Sequence, residues 1–97
     1  MPGGAITVVD NGGRPTHEVD VGRCRQRLTE LRARREDVET TSAFAGLAGV
    51  SEPTASRFLA GGHRMRIATV RRILRALDLR FEEVARPIRG SDAATGP

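Results

Sequence analysis

The chain has 97 residues, 38% of them hydrophobic and 3% aromatic, and its formal net charge is +4. That length suits one small domain with a modest core and excludes a catalytic domain beside it. All 16 basic residues are arginine, and because its planar guanidinium suits phosphate and guanine, this charge favours nucleic acid over a membrane as a partner.

Cysteine and targeting patterns narrow the class further. Cys24 is the single cysteine, which excludes an internal disulfide and a cysteine-based metal cluster. It shares no metal-ligand or nucleophile–base spacing with His17 or His63, so we expect neither an enzyme nor a cofactor. A signal peptide, a lipidation motif and an apolar run of about 18 residues are all absent, which predicts a cytoplasmic protein.

The amino-terminal stretch carries a hairpin signal. Two β-prone runs, residues 6–9 and 16–21, flank the segment Asp10-Asn11-Gly12-Gly13-Arg14-Pro15. Asn-Gly between such runs is typical of a tight turn. Since an isolated hairpin is marginal in water, we expect it to pack on helices or to pair with another chain. The alternative interpretation is a flexible arm.

The first two helices follow from apolar spacing and from capping residues. Residues 22–35 are predicted to be helical, with Cys24, Leu28 and Leu31 on the apolar side and a mostly solvated, arginine-rich remainder. After the acidic residues 36–39, a short second helix is expected over 41–48. Its N-cap is Thr40 or Thr41, and Gly49 ends it at a position that suits a left-handed backbone.

The third helix begins directly after that corner. Ser51 is placed to cap it, with Glu52 favouring the helix dipole and Pro53 occupying a position that needs no hydrogen bond. Gly61 and Gly62 stop it. One helix held against the body while the next projects at a tight corner is the geometry that places a helix in the major groove of DNA.

Further elements are expected after the third helix. Residues 63–66 are predicted to be a loop, residues 67–77 a fourth helix, and residues 90–97 a disordered tail. A short fifth helix is indicated by Phe81, Val84 and Ile88, closed by Pro87. The residues of the fourth helix that should face the core are Val70, Ile73, Leu74 and Leu77.

The spacing within the two-helix unit is specific. Counted from Thr41, the fifth place must be small because the helices cross there, and it is Ala45. The ninth place must tolerate the turn, and it is Gly49. The four other diagnostic places are expected to be buried, and they are Phe44, Val50, Ala55 and Phe58.

The segment TTSAFAGLAGVSEPTASRFLAGG, followed by IATVRRILRALDL and FEEVA, resembles the lambda-repressor-like helix-turn-helix family, also called the Xre or Cro family. The resemblance covers about residues 22–86. It implies an all-α fold, a five-helix lambda-repressor-like helix-turn-helix domain, here with an N-terminal β-hairpin or arm. The expected organisation is an arm or hairpin over 1–21, a DNA-binding domain over 22–89 and a tail over 90–97.

This resemblance implies that the third helix enters the major groove and reads bases with its first half. Arg57 is expected to bond guanine O6 and N7, or else to contact phosphate or form a surface salt bridge. Glu52 is expected to accept from cytosine N4, or only to start the helix. The candidate base-contact residues are Glu52, Pro53, Thr54, Ser56 and Arg57.

Phosphate contacts are implied at two places. The amino end of the second helix offers backbone N–H groups and hydroxyls, and family members lay the loop after the third helix along the DNA backbone. The alternative for that loop is a merely solvated basic segment. The candidate phosphate-contact residues are Thr40, Thr41, His63, Arg64 and Arg66.

The resemblance favours a transcriptional regulator, most simply a repressor that occupies an operator. One such domain covers few base pairs, so we expect a homodimer on double-stranded DNA. The dimer would use the fifth helix with Ile88, as in relatives, or the amino-terminal strands. The alternatives are an antitoxin, whose hairpin or tail covers a toxin, and a protein-interaction module on the same fold.

Overall fold

The amino-terminal hairpin is present, and it lies in the middle of a larger sheet. The computed structural model describes residues 5–88, so residues 1–4 and the predicted tail at 90–97 lie outside the described residues. The elements are β1 (Ala5–Val9), β2 (Pro15–Asp20), α1 (Val21–Arg32), α2 (Thr41–Ala48), α3 (Glu52–Ala60), β3 (Arg64–Arg66), α4 (Ile67–Ala76), α5 (Phe81–Val84) and β4 (Ala85–Pro87). The all-α prediction is therefore wrong, because residues 5–88 combine five helices with four strands.

The sheet has the strand order β3-β1-β2-β4. β1 pairs with β2 in antiparallel fashion and with β3 in parallel, and β4 adds antiparallel to β2. Ile6, Val8 and Val19 are fully buried, because alternate residues of a strand point to the same face and that face covers the helices. The sheet thus contributes side chains to the same core as the helices.

The turn of the hairpin is built from its own side chain. The carboxylate of Asp10 accepts hydrogen bonds from the amides of Gly12 and Arg14, each at 2.9 Å. Gly13 has a φ of 81°, a left-handed conformation that glycine adopts without steric cost. This local chemistry explains why the hairpin was predictable.

Residues 63–66 were predicted as a loop, but residues 64–66 form β3. Met65 is 8% exposed and points inward, while Arg64 and Arg66 are exposed on the outer side. Three residues carry no readable alternation by themselves. They become a strand because β1 lies beside them and pairs with Met65 through Val8.

The fifth helix is shorter than predicted. It ends at Val84, and the chain continues in extended conformation from Ala85, which lies opposite Val19 of β2. Pro87 belongs to β4, and Ile88 lies beyond it with its amide donating to the carbonyl of Thr16 at 3.1 Å. The prediction that Ile88 is part of the helix is wrong, since pairing with β2 replaces the next helical turn.

The apolar sides predicted for α1 and α4 are confirmed. In α1, Cys24, Leu28 and Leu31 are buried together with Val21. The helix ends at Arg32 rather than Arg35, and the connector then brings Val38 into the core with no exposed surface. All four residues predicted to face the core from the fourth helix are buried, namely Val70, Ile73, Leu74 and Leu77.

Candidate nucleic-acid interface

The corner between α2 and α3 has the predicted geometry. Thr40 is the N-cap of α2, and its hydroxyl accepts from the amide of Ala43 at 3.0 Å. Gly49 has a φ of 76°, and the next amide, that of Val50, donates to the carbonyl of Ala45 at 3.0 Å. Ala45 is 2% exposed, and because its side chain is only a methyl group the two helices can approach closely.

The inner side of α3 fastens the helix to the body. Ala55 and Phe58 are fully buried, and Phe44 of α2 is buried beside them in the same core. Val50 is only half-buried, so the prediction that all four diagnostic places are buried is wrong at this one. Val50 packs on the rim of the core instead, at the corner itself.

The amino end of α3 is capped by Ser51. Its hydroxyl accepts from the amide of Thr54 at 3.3 Å and shares a hydrogen bond with the Thr54 hydroxyl at 2.8 Å. Thr54 is half-buried. Its hydroxyl therefore already has one partner within the protein, unlike the polar side chains farther along the exposed side.

The outer side of α3 presents the other four candidate base-contact residues. Glu52, Pro53, Ser56 and Arg57 are all exposed. Neither Glu52 nor Arg57 forms an ion pair or a side-chain hydrogen bond with any residue between 5 and 88. Within that range the surface salt bridge considered for Arg57 does not form, and its guanidinium keeps its hydrogen-bond donors for a ligand.

The candidate phosphate-contact residues lie on two separate elements. Thr40 and Thr41 lie at the amino end of α2, where the Thr40 hydroxyl serves as the cap and Thr41 is half-buried. His63, Arg64 and Arg66 are exposed on the segment that follows α3. The two arginines alternate with buried Met65, so they share the outer face of the sheet.

Sequence reasoning missed the residue that holds the far end of α3. Arg25 of α1 was interpreted as part of a solvated basic surface, but its guanidinium donates to the carbonyls of Leu59 and Ala60 at 2.6 Å and 3.2 Å. The partners are 34 and 35 residues apart along the chain. Helical periodicity cannot reveal a contact between residues that are so far apart along the chain.

The groups between residues 5 and 88 whose pKa values are displaced lie outside α3. Burial, aided by the nearby Asp20 carboxylate, raises the pKa of the Cys24 thiol to about 12. In the connector after α1, a two-pronged hydrogen bond from Arg35 holds the pKa of the Asp37 carboxyl below its ordinary value. Cys24 is thus a core residue and not an activated nucleophile.

Within residues 5–88 no helix is long and apolar enough to cross a membrane.

A match to a known protein family agrees with the geometry of the helix-turn-helix. Neither the curated proteins nor the solved structures gave a match to the chain. The family model described as a Cro/C1-type HTH DNA-binding domain matches residues 27–89, which is more than half of the chain.

Proposed function

The chain belongs to the Cro/C1-type HTH DNA-binding family. From this premise we propose that it binds specific sequences of double-stranded DNA and regulates transcription. Its action would be that of an Xre-type repressor, which blocks transcription by occupying an operator. The observation that carries this proposal is the outer side of α3, where the exposed Arg57 side chain has no partner among residues 5–88 while Ala55 and Phe58 anchor the inner side.

We assign base reading to the exposed side of α3. Arg57 is suited to two parallel hydrogen bonds with guanine O6 and N7, which are worth about 1–3 kcal/mol of discrimination. Glu52 would accept from cytosine N4, and Pro53 would press on a thymine methyl. Ser56 and Thr54 would bond bases or phosphates through their hydroxyls, although the Thr54 hydroxyl also bonds Ser51.

Phosphate binding is assigned to two elements. Arg64 and Arg66 support it because they project from a strand, so their backbone is already ordered before DNA binds. His63 directly precedes Arg64, between the end of α3 and the start of β3. The amino end of α2 supplies backbone N–H groups beside Thr40 and Thr41, where the helix dipole favours an anion.

A homodimer is proposed because one helix-turn-helix domain covers few base pairs. Pairing of two copies through the amino-terminal strands would need a free strand edge. Neither β1 nor β2 offers one, since each lies between two other strands of the sheet. The free edge of β4 is poor in donors, because Pro87 has no N–H and Ala85 gives its own to Phe81. We therefore favour a two-fold contact through α5 and the half-buried Ile88.

The same sheet argues against a hairpin that is free to cover a toxin. An antitoxin would need a segment that leaves its own domain, whereas β1 and β2 form the centre of the sheet and supply buried core residues. No observation in the described part of the chain favours the antitoxin or the interaction module over the regulator.

The test is selection of bound sequences from a pool of random duplexes at two salt concentrations. The wild type is expected to enrich one motif and to bind more weakly at the higher salt. Arg57→Ala should lose one guanine preference, and Arg64→Ala should weaken binding to all sequences while lowering the log–log salt slope by about 0.9. The matched control is Arg23→Ala, an exposed arginine of α1 that should change neither.

One result would contradict the proposed function, and a second would contradict only the role assigned to Arg57. If no sequence is enriched and DNA binding does not depend on salt concentration, the protein is better explained as a protein-interaction module. An unchanged motif with Arg57→Ala would remove Arg57 from base reading while leaving the DNA-binding function intact.

A further inference from the structure

The carboxyl end of α3 is held by a side chain from α1. Arg25 donates from Nε to the carbonyl of Leu59 at 2.6 Å and from Nη2 to the carbonyl of Ala60 at 3.2 Å. The last carbonyls of a helix have no partner within the helix and carry partial negative charge. One guanidinium therefore satisfies two of them and ties α3 directly to α1.

The main chain just beyond α3 is held as well. The Gly61 amide closes the helix on the carbonyl of Arg57 at 3.1 Å, and the Gly62 amide donates to the carbonyl of Ala5 at 2.7 Å. The carboxyl end of α3 is thus joined to α1 through a side chain and to β1 through the backbone. A tilt of α3 about its buried side would break one of these bonds.

We propose that Arg25 is a positioning residue that sets how α3 lies in the major groove, an inference that rests on the proposed function. Direct readout depends on side chains held in place by their supporting contacts. Arg57 lies less than one turn before the carbonyls that Arg25 holds. Loss of the clamp lets the last turn of α3 move, and Arg57 moves with it.

A direct phosphate contact predicts a different behaviour for Arg25. Its Nε and Nη2 are already directed at carbonyl oxygens of the protein, so this edge of the guanidinium is occupied and the Nη1 side keeps its donors. A phosphate contact contributes equally on every sequence and adds to the salt dependence. A positioning residue instead affects the preferred sequence more than an unrelated one.

The test measures affinity for the selected operator and for a scrambled duplex across a range of salt concentrations. Arg25→Ala is expected to weaken operator binding about tenfold, to change scrambled-duplex binding less than twofold and to leave the salt slope unchanged. Arg25→Lys keeps the charge but not the two-pronged donor, and should recover part of the loss. Arg23→Ala, on the same helix and without a side-chain partner in residues 5–88, should match the wild type.

Amide hydrogen exchange in the DNA-free protein tests the clamp by itself. The Gly61 and Gly62 amides should exchange about tenfold faster in Arg25→Ala than in Arg23→Ala, and this holds even if the wild type selects no DNA sequence. Unchanged exchange would overturn the clamp. Faster exchange with equal losses on both duplexes and a shallower salt slope would overturn positioning and make Arg25 a phosphate contact.

Discussion

The main-chain N–H of Thr7 donates to the carbonyl of His63 at 2.9 Å and so joins the first strand to the segment that follows α3. This bond is the start of the parallel pairing between β1 and β3. The amino-terminal hairpin is therefore part of the body that carries α3. An arm that is free of the domain is incompatible with this pairing.

Truncation of Ile6 tests whether the hairpin belongs to the core. Ile6 is fully buried, so Ile6→Ala should lower the free energy of unfolding by about 2–4 kcal/mol through lost burial and a residual cavity. Urea unfolding measures the effect. Thr7→Ala, whose side chain lies on the other face of β1, should cost less than about 1 kcal/mol. Equal and small losses in both variants would support the flexible arm.

Gly46 and Gly49, three residues apart, allow the effect of backbone conformation to be tested separately from the effect of available space. An added Cβ meets nothing within 4 Å at either Gly46 or Gly49. Gly49 has a φ of +76°, so Gly49→Ala should destabilise the protein by about 1–2 kcal/mol. Gly46 lies in the exposed middle of α2, so Gly46→Ala should stabilise it by about 0.5–1 kcal/mol. Thermal unfolding of both variants checks the opposite signs, and a shared sign would contradict the prediction.

Stability in alkali should depend on the Cys24 thiol. Its pKa in the folded protein is raised from 9.0 to about 12, first by burial and then by Asp20. The folded state therefore holds the proton more tightly than the unfolded chain. This contribution is complete below pH 9 and is lost as the pH rises toward 12, by up to about 1.4 kcal/mol per pH unit. Urea unfolding at several pH values measures it.

The composition leaves few other side chains that titrate in this pH range. The chain has no tyrosine and no lysine, and arginine stays charged throughout the window. Cys24→Ala should therefore be less stable at pH 8 but show a much flatter decline between pH 9.5 and about 11.5. A decline as steep as that of the wild type would assign the alkaline loss to another cause.

The helix-turn-helix was predictable because its determinants are local. Gly49 and Ser51 act through neighbours fewer than six residues away, by a left-handed turn and a cap, and Ala45 crosses a helix that begins only seven residues later. The same locality explains why the exposed side of α3 was predictable, since Ala55 and Phe58 set which side faces inward. Helical hydrogen bonds join residues four apart, so helical periodicity is visible in the sequence.

The sequence by itself therefore determined the five helices, the corner and the hairpin turn. Only the tertiary structure decided that residues 64–66 and 85–87 become strands and that Arg25 clamps α3. Strand pairs and a clamp of this kind join groups that are distant in the chain, as Val8 and Met65 are. Such bonds leave no periodic pattern at either partner, because each depends on where the rest of the fold brings the other.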